Sequence, residues 1–257
     1  MPEFLTILHI RAAPLSVMLR GHQAFMPQLG RSISCILFCI RRRSPLKMGK
    51  VSTYGQLTTR IYTRLIDPLL VPVHTQVAKI CQRLKYQDVL DIASATGAQC
   101  LLLDRAGINA VGLDLSGAMI VTAARRSPPT VRYVHGSALD LPFTDGSFDC
   151  VLLLLAFHEH PESERVRMLH EARRVLRPKG TLIIAEYAPP ETSGARLVWG
   201  LITFIERLSK HYHNFRQFVH AGGIYHLEEV FPLSISQRYP IYSGTILIDV
   251  LKCATAD

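Results

Sequence analysis

Between Asp88 and Tyr187 short, continuously apolar runs alternate with amphipathic stretches, and few architectures satisfy that alternation. Apolar spacing predicts strands at Asp88–Ile92, Ala110–Asp114, Val131–His135, Phe148–Phe157 and Thr181–Tyr187. Between them it predicts helices at Ala98–Ala106, Gly117–Arg125 and Ser163–Leu176. The last of these carries Val166, Leu169, Ala172, Val175 and Leu176 on one face, with Arg165, Glu171 and Arg174 outside, and Pro178-Lys179-Gly180 stops it. Strands that are apolar throughout and separated by helices imply an α/β fold, a doubly wound, mostly parallel sheet covered on both faces. Helices at Ala195–Leu208 and near Phe215–Val219, then strands at Ser234–Tyr239 and Gly244–Lys252, are expected to complete it. Ahead of the sheet, Leu57, Ile61, Leu65, Leu69, Val77, Ile80 and Leu84 keep helical spacing, and Pro68 and Pro72 are expected to break or kink that run.

The 257 residues suit one large domain with an extension, and 48% hydrophobic against 19% charged residues is a globular balance. We expect an N-terminal extension over residues 1–51 and the α/β domain over 52–257. Residues 1–47 hold Pro2, Pro14, Pro27, Pro45 and the run Arg41–Arg43, with poor periodicity. Residues 1–50 carry +7 of the net +9, which leaves the body near neutral. A nucleic-acid partner, which needs clustered Lys/Arg, is therefore not expected. Glu3 stands where a secretory signal would be positive. Three readings of the extension stay open: translation starting at Met48, which we prefer, an Arg-rich organelle presequence, or a basic tail. Met48-Gly49 with Thr53 also fits the short N-myristoylation pattern, a match that chance explains. The compartment expected is cytoplasmic, or mitochondrial if the extension is a presequence. No apolar run reaches the ~18 residues of a membrane span, so any membrane contact would be a weak one at the surface. Cys81, Cys100 and Cys150 sit in apolar segments and read as core residues, while Cys35 and Cys39 lack a matching second pair for zinc.

The stretch Val89-Leu90-Asp91-Ile92-Ala93-Ser94-Ala95-Thr96-Gly97 runs from an apolar strand through an acid into tiny residues before a helix. Small side chains let a ligand approach backbone, and helix N-terminal N–H groups point at it. Asp114 ends the next strand, where an acid can receive ribose hydroxyls. With Gly97 as the one glycine, the turn is a poor pyrophosphate cradle and suits a nucleoside without phosphates. A plain strand-to-helix turn without a ligand would share these local features.

Four blocks in order, VLDIASATG, VGLDLSGAM, GSALDLPFTDGSFDCV and EARRVLRPKGTLIIAEY, resemble the class I S-adenosylmethionine-dependent methyltransferases. Within them the chain is similar to the branch of the ubiquinone/menaquinone-biosynthesis C-methyltransferases, over about residues 57–190. The resemblance implies a Rossmann-like, seven-stranded sheet with its last strand antiparallel, and S-adenosyl-L-methionine as cofactor. It implies that the methionine part lies near Asp91, Ala93, Ser94, Ala95 and Gly97, and that the ribose meets Asp114. It puts Leu115 and Met119 beside the adenine, Ser137 and Ala138 at its edge, and Leu154 through Ala156 to Phe157 near the sulfonium. Tyr62 would belong to an N-terminal helix closing over the cofactor, or is equally a buried core tyrosine. Two departures stand out: Ala95 where the family commonly has glycine, and Ser137 where it commonly has an acid.

Methyl transfer needs alignment and desolvation, plus a base only when the nucleophile must lose a proton. His158 is the first candidate base, followed by Glu159 and His160, in a loop that could equally just cap the next helix. His158 with His160, or His211 with His213 and Asn214, could also be read as metal pairs, but no metal site is expected. His211–Phe215 reads as part of a lid over the acceptor. It follows Leu197–Ile205, a helix apolar nearly all round, which is either deeply packed or exposes an acceptor-facing surface. The expected activity is methyl transfer to a small, apolar or aromatic, quinone-precursor-like metabolite. The alternatives are a binding or scaffold protein that kept the fold and lost turnover, a nicotinamide-dependent oxidoreductase and a nucleic-acid methyltransferase.

Overall fold

The computed structural model describes residues 56–230 and 234–252, so the expectations for the extension and for Cys35 and Cys39 lie outside the described residues. The chain divides into Met1–Gly49 and Lys50–Asp257, and the described residues belong to the second unit.

Seven strands form one sheet: β1 (Asp88–Ile92), β2 (Asn109–Asp114), β3 (Arg132–His135), β4 (Phe148–Leu154), β5 (Leu176–Tyr187), β6 (Ser234–Ile241) and β7 (Ile246–Lys252). Their order is β3-β2-β1-β4-β5-β7-β6. The pairs β1–β2, β2–β3, β1–β4 and β4–β5 are parallel. β7 runs antiparallel to both neighbours, as the expected antiparallel last strand. The helices are α1 (Gln56–Ile61), α2 (Asp67–Arg83), α3 (Ala98–Arg105), α4 (Gly117–Arg126), α5 (Glu162–Val175), α6 (Ser193–Arg207), α7 (Tyr212–His220) and α8 (Ile224–Val230).

β1 and β4 are central, and that explains their composition. Val89, Leu90, Ile92 and Cys150–Leu153 are fully buried, each large apolar side chain contributing about 1.5–3 kcal/mol by leaving water. Cys81, Cys100 and Cys150 are free thiols in this core, as expected.

The chain departs from expectation at several boundaries. Pro68 and Pro72 do not end the N-terminal helix. A single π turn, Tyr62–Ile66, closed by Asp67 N–H donating to Tyr62 O, delivers Pro68 into the first turn of α2, where a missing N–H is harmless. Pro72 is carried inside α2 because Val73, Val77, Ile80 and Cys81 are buried against the core. That packing offsets the roughly 3 kcal/mol an internal proline costs. β4 stops at Leu154 rather than Phe157, because Leu155 turns the chain at φ +53° and Phe157–Glu159 form one 3-10 turn. Arg165 is not on the outside of its helix. It is 4% exposed, its Nε donates to Phe157 O at 3.0 Å and its guanidinium lies over the Phe218 ring. α8 is not legible from periodicity, since Gly222-Gly223 reads as a breaker and the helix is short; Ile224 and Leu227 bury it.

Candidate active site

The turn between β1 and α3 is built from left-handed residues. Ala93, Ala95 and Gly97 have φ of +60°, +44° and +78°. Only at Gly97 is a side chain also sterically excluded, since a Cβ would come within 2.2 Å of Tyr133 Oη and 2.9 Å of Ala123 Cβ. At the two alanines the left-handed backbone costs about 1–2 kcal/mol each. The surrounding hydrogen bonds hold it there. Ser94 N–H donates to Leu113 O, Gly97 N–H to Ser94 O, and Ala95 N–H to Asp114 Oδ2 at 2.9 Å. Asp114 Oδ1 accepts from Ser116 N–H at 2.8 Å, so one carboxylate ties the turn to the start of α4. Burial raises the Asp114 carboxyl above its usual range, and these two N–H groups oppose the rise.

Tyr62, Asp91, Ala93, Ser94, Ala95 and Leu154 line one narrow cavity together with Gln99 and His74. Its free space is about 20 Å³, about that of a single water molecule. Asp91 is 3% exposed. Burial pushes its carboxyl up to about 7, against a hydrogen bond from the Cys100 thiol and with help from the Asp114 charge. Burial lowers His74 to about 4, so its imidazole is neutral at physiological pH. Ser94 Oγ and both amide atoms of Gln99 are buried there with no hydrogen-bond partner. Such orphans leave hydrogen-bonding capacity for a polar ligand group or for water. Gln99 lies outside the motifs that the sequence marks; a long amide in the first turn after a small-residue turn, on the buried face of α3, is the signal that points to it. Asp67 also lines the cavity, accepting from Thr96 Oγ1 at 2.8 Å and from Arg126 Nη1 at 2.7 Å.

The other expected cofactor contacts do not line this cavity. Gly97 is packed under Tyr133. Leu115 is 62% exposed at the head of α4, while Met119 is 3% exposed. Ser137 Oγ accepts from Leu139 N–H, and Ala138 is half-buried beside it. Ala156 is 4% exposed, behind Leu154 and Leu155.

A second cluster stands beyond the ends of β4 and β5. His158 is 3% exposed, with Nδ1 3.1 Å from Glu186 and Nε2 3.5 Å from Glu206. Glu186, wholly buried, also accepts from Phe157, His158 and Tyr187 N–H. Tyr187 Oη donates to Glu206 Oε1 at 2.9 Å. Burial alone would lower His158, but the charge of Glu186 and its hydrogen bond, with Glu206 and Glu159 adding, push it up to about 9. Both ring nitrogens of His158, the first candidate base, are thus engaged by buried carboxylates. His160 Nδ1 is 2.8 Å from Glu164, in the first turn of α5, so the pair ties the loop to that helix. Glu159 differs from both. It is half-buried, its carboxylate has no hydrogen-bond or ion-pair partner among the described residues, and its charge is felt at Asp114, His158 and Glu206. α7 covers this loop through Asn214 Nδ2, which donates to Glu159 O at 2.6 Å. His213 faces Gln217 instead. Among the described residues no group of three or more His, Cys, Asp or Glu side chains is arranged to hold a metal ion.

The sequence and the fold both have known counterparts. The methyltransferase-domain family matches residues 90–184. The demethylmenaquinone methyltransferase of Beutenbergia cavernae is 38% identical over 124 residues, 48% of this chain and 50% of that one. The chain spans about half the length of the curated relatives it matches. Among solved structures, the PH0226 protein from Pyrococcus horikoshii OT3 superposes with a TM-score of 0.54 at 21% identity, over 79% of this chain and 93% of that one. The N-methyltransferase NodS from Bradyrhizobium japonicum WM9, in complex with S-adenosyl-L-homocysteine, superposes with a TM-score of 0.55 at 14% identity, over 79% and 98%. At those identities the likeness is one of fold. Residues 90–184 therefore match the methyltransferase-domain family, the fold is the Rossmann-like one of these solved structures, and the sequence likeness around that segment runs to demethylmenaquinone methyltransferases.

Proposed function

We propose that this protein transfers a methyl group from S-adenosylmethionine to a small, apolar or aromatic metabolite of the quinone-precursor kind. The observation that carries the reading is the cavity beside the β1–α3 turn. Buried Asp91 and the unpartnered Ser94 Oγ and Gln99 amide present the mixed donors and acceptors that an amino-acid end requires. The family match over residues 90–184 and the demethylmenaquinone methyltransferase relatives support the same reading.

On this reading Asp91, Ser94 and Gln99 hold the aminocarboxylate, with Ala93, Ala95 and Gly97 shaping the turn around it. Asp114 receives the ribose, Leu115 and Met119 flank the adenine, and Ser137 and Ala138 border it. Tyr62 covers the site, and Leu154 and Ala156 border the reacting end. S-adenosylmethionine, when bound, supplies a methyl on a sulfonium sulfur, primed for direct displacement. The chain's own part is to align the acceptor, exclude water and take up a proton. Glu159, half-buried and without a partner among the described residues, is the group placed to accept that proton. Protonated His158 acts as a positioning residue, fixing the loop that carries Glu159, and His160 fixes the same loop from α5.

Asp114→Asn tests the placement. It keeps the size of the side chain but replaces one acceptor by a donor. Cofactor affinity should fall about 10–100-fold, the worth of a charged hydrogen bond, in a protein whose circular dichroism is unchanged. Unchanged affinity would move the site elsewhere. Transfer of labelled methyl from S-adenosylmethionine to a 2-demethylated naphthoquinone tests the acceptor class. The narrowness of the cavity favours one second reading, a methyltransferase-fold scaffold without turnover. Tyr62, from the π turn, and His74, from α2, are among the side chains that line the cavity. Absence of cofactor binding would select that reading.

A further inference from the structure

Helix α6 is apolar on both faces, and the outward one has no partner among the described residues. Ala195, Ile202 and Glu206 face inward, Glu206 bonded to Tyr187 and His158. On the opposite side Leu197, Leu201, Phe204 and Leu208 are 82%, 54%, 62% and 78% exposed. Their spacing of four, three and four residues places them within about 60° of one another around the axis, in a row about 16 Å long. Isolated exposed leucines need no explanation, but a four-residue row does. The charges along this helix have one sign outward. Arg196, Arg207 and Lys210 are exposed, and the one acid between Thr192 and Lys210, Glu206, is turned inward.

We propose that this face of α6 seats the protein on the surface of an anionic lipid bilayer, with the four apolar side chains in the headgroup–acyl boundary and Arg196, Arg207 and Lys210 against lipid phosphates. Large apolar side chains on one face, with Lys and Arg beside them and no exposed acid, are the composition of a helix that lies in a membrane interface. Charge selects this occupant over the two internal ones. Residues 1–50 carry +7 and would be repelled by the same arginines. A second copy docked through the row would set Arg196 and Arg207 among their own counterparts, with no exposed acid on the helix to meet them. No described helix is long and apolar enough to cross a membrane, so the attachment is to the surface. The inference does not depend on the methyl-transfer reading.

The test is co-sedimentation of the full chain, without cofactor, with vesicles of phosphatidylcholine alone or mixed with phosphatidylglycerol. The chain is expected to partition onto the mixed vesicles at least about tenfold better than onto phosphatidylcholine, and the L201E/F204E variant to lose at least about tenfold of that partitioning. Both side chains point to solvent, so the variant should melt like the parent. R196E/R207E, which leaves the apolar row intact, should lose the preference for the anionic vesicles. Three outcomes would overturn the proposal: no vesicle binding by the parent chain, binding that survives L201E/F204E and therefore comes from the basic N-terminal residues, or a dimer in solution that L201E/F204E splits.

Discussion

Replacing Glu186 by alanine is expected to cost about 3–5 kcal/mol of folding stability, because it leaves a protonated His158 buried without its main partner. Three backbone N–H groups, of Phe157, His158 and Tyr187, lose their acceptor in the same step, and each orphan adds to the loss. Against a typical total of about 5–15 kcal/mol, that is enough to unfold a marginal domain. Glu186→Gln is the informative companion. It keeps an acceptor oxygen and the packing but removes the charge that holds His158 near 9. Because the folded pKa of His158 lies above its ordinary 6.5, its stabilisation is fully present below about pH 6.5 and is lost as pH rises through about 9. Urea unfolding of the parent chain should therefore show stability declining across that window, and the Glu186→Gln variant should lose most of the decline. A variant as stable as the parent, with the same pH profile, would mean that His158 is neutral.

Gly97→Ala is the second large effect. The added Cβ must displace Tyr133, whose Cζ as well as Oη lies within 3 Å of it, and the residue must still adopt φ +78°. Left-handed strain of about 1–2 kcal/mol and overpacking of about 1–3 kcal/mol together predict a loss of about 2–5 kcal/mol. Gly107 supplies the control. Its φ is +75° and a Cβ there would meet nothing within 4 Å, so Gly107→Ala should show the backbone cost alone. The difference between the two variants in urea unfolding measures the clash with Tyr133. Equal losses would show that Tyr133 yields freely and that Gly97 matters only for its backbone.

The central part of this fold is legible residue by residue. β1 spans Asp88–Ile92 as its apolar run requires, and the turn after it follows from small residues between a strand and a helix. What periodicity reports is which residues share a face, and what it leaves open is what that face meets. α6 shows the difference. Its all-round apolar pattern allows deep packing or an exposed surface, and in the fold the packed side carries Glu206 while large side chains face water. His158 is visible in the sequence as a histidine near the mouth of the sheet. Its partners Glu186 and Glu206 are not, because they arrive from β5 and α6, far along the chain, and partners that distant invert the chemistry of the ring. Arg165 departs from its expected outer position for the same reason: the groups that bury it, Phe157 O and Phe218, belong to other elements. Gln99 needs the burial of α3 before its unpaired amide means anything.

The most direct measurement is calorimetric titration of the full chain with S-adenosylmethionine and with S-adenosylhomocysteine. The cavity beside Asp91, Ser94 and Gln99 predicts that each binds at one site, that each competes with the other, and that Asp114→Asn weakens both. A folded protein that takes up neither would contradict the assignment of this cavity as a cofactor site.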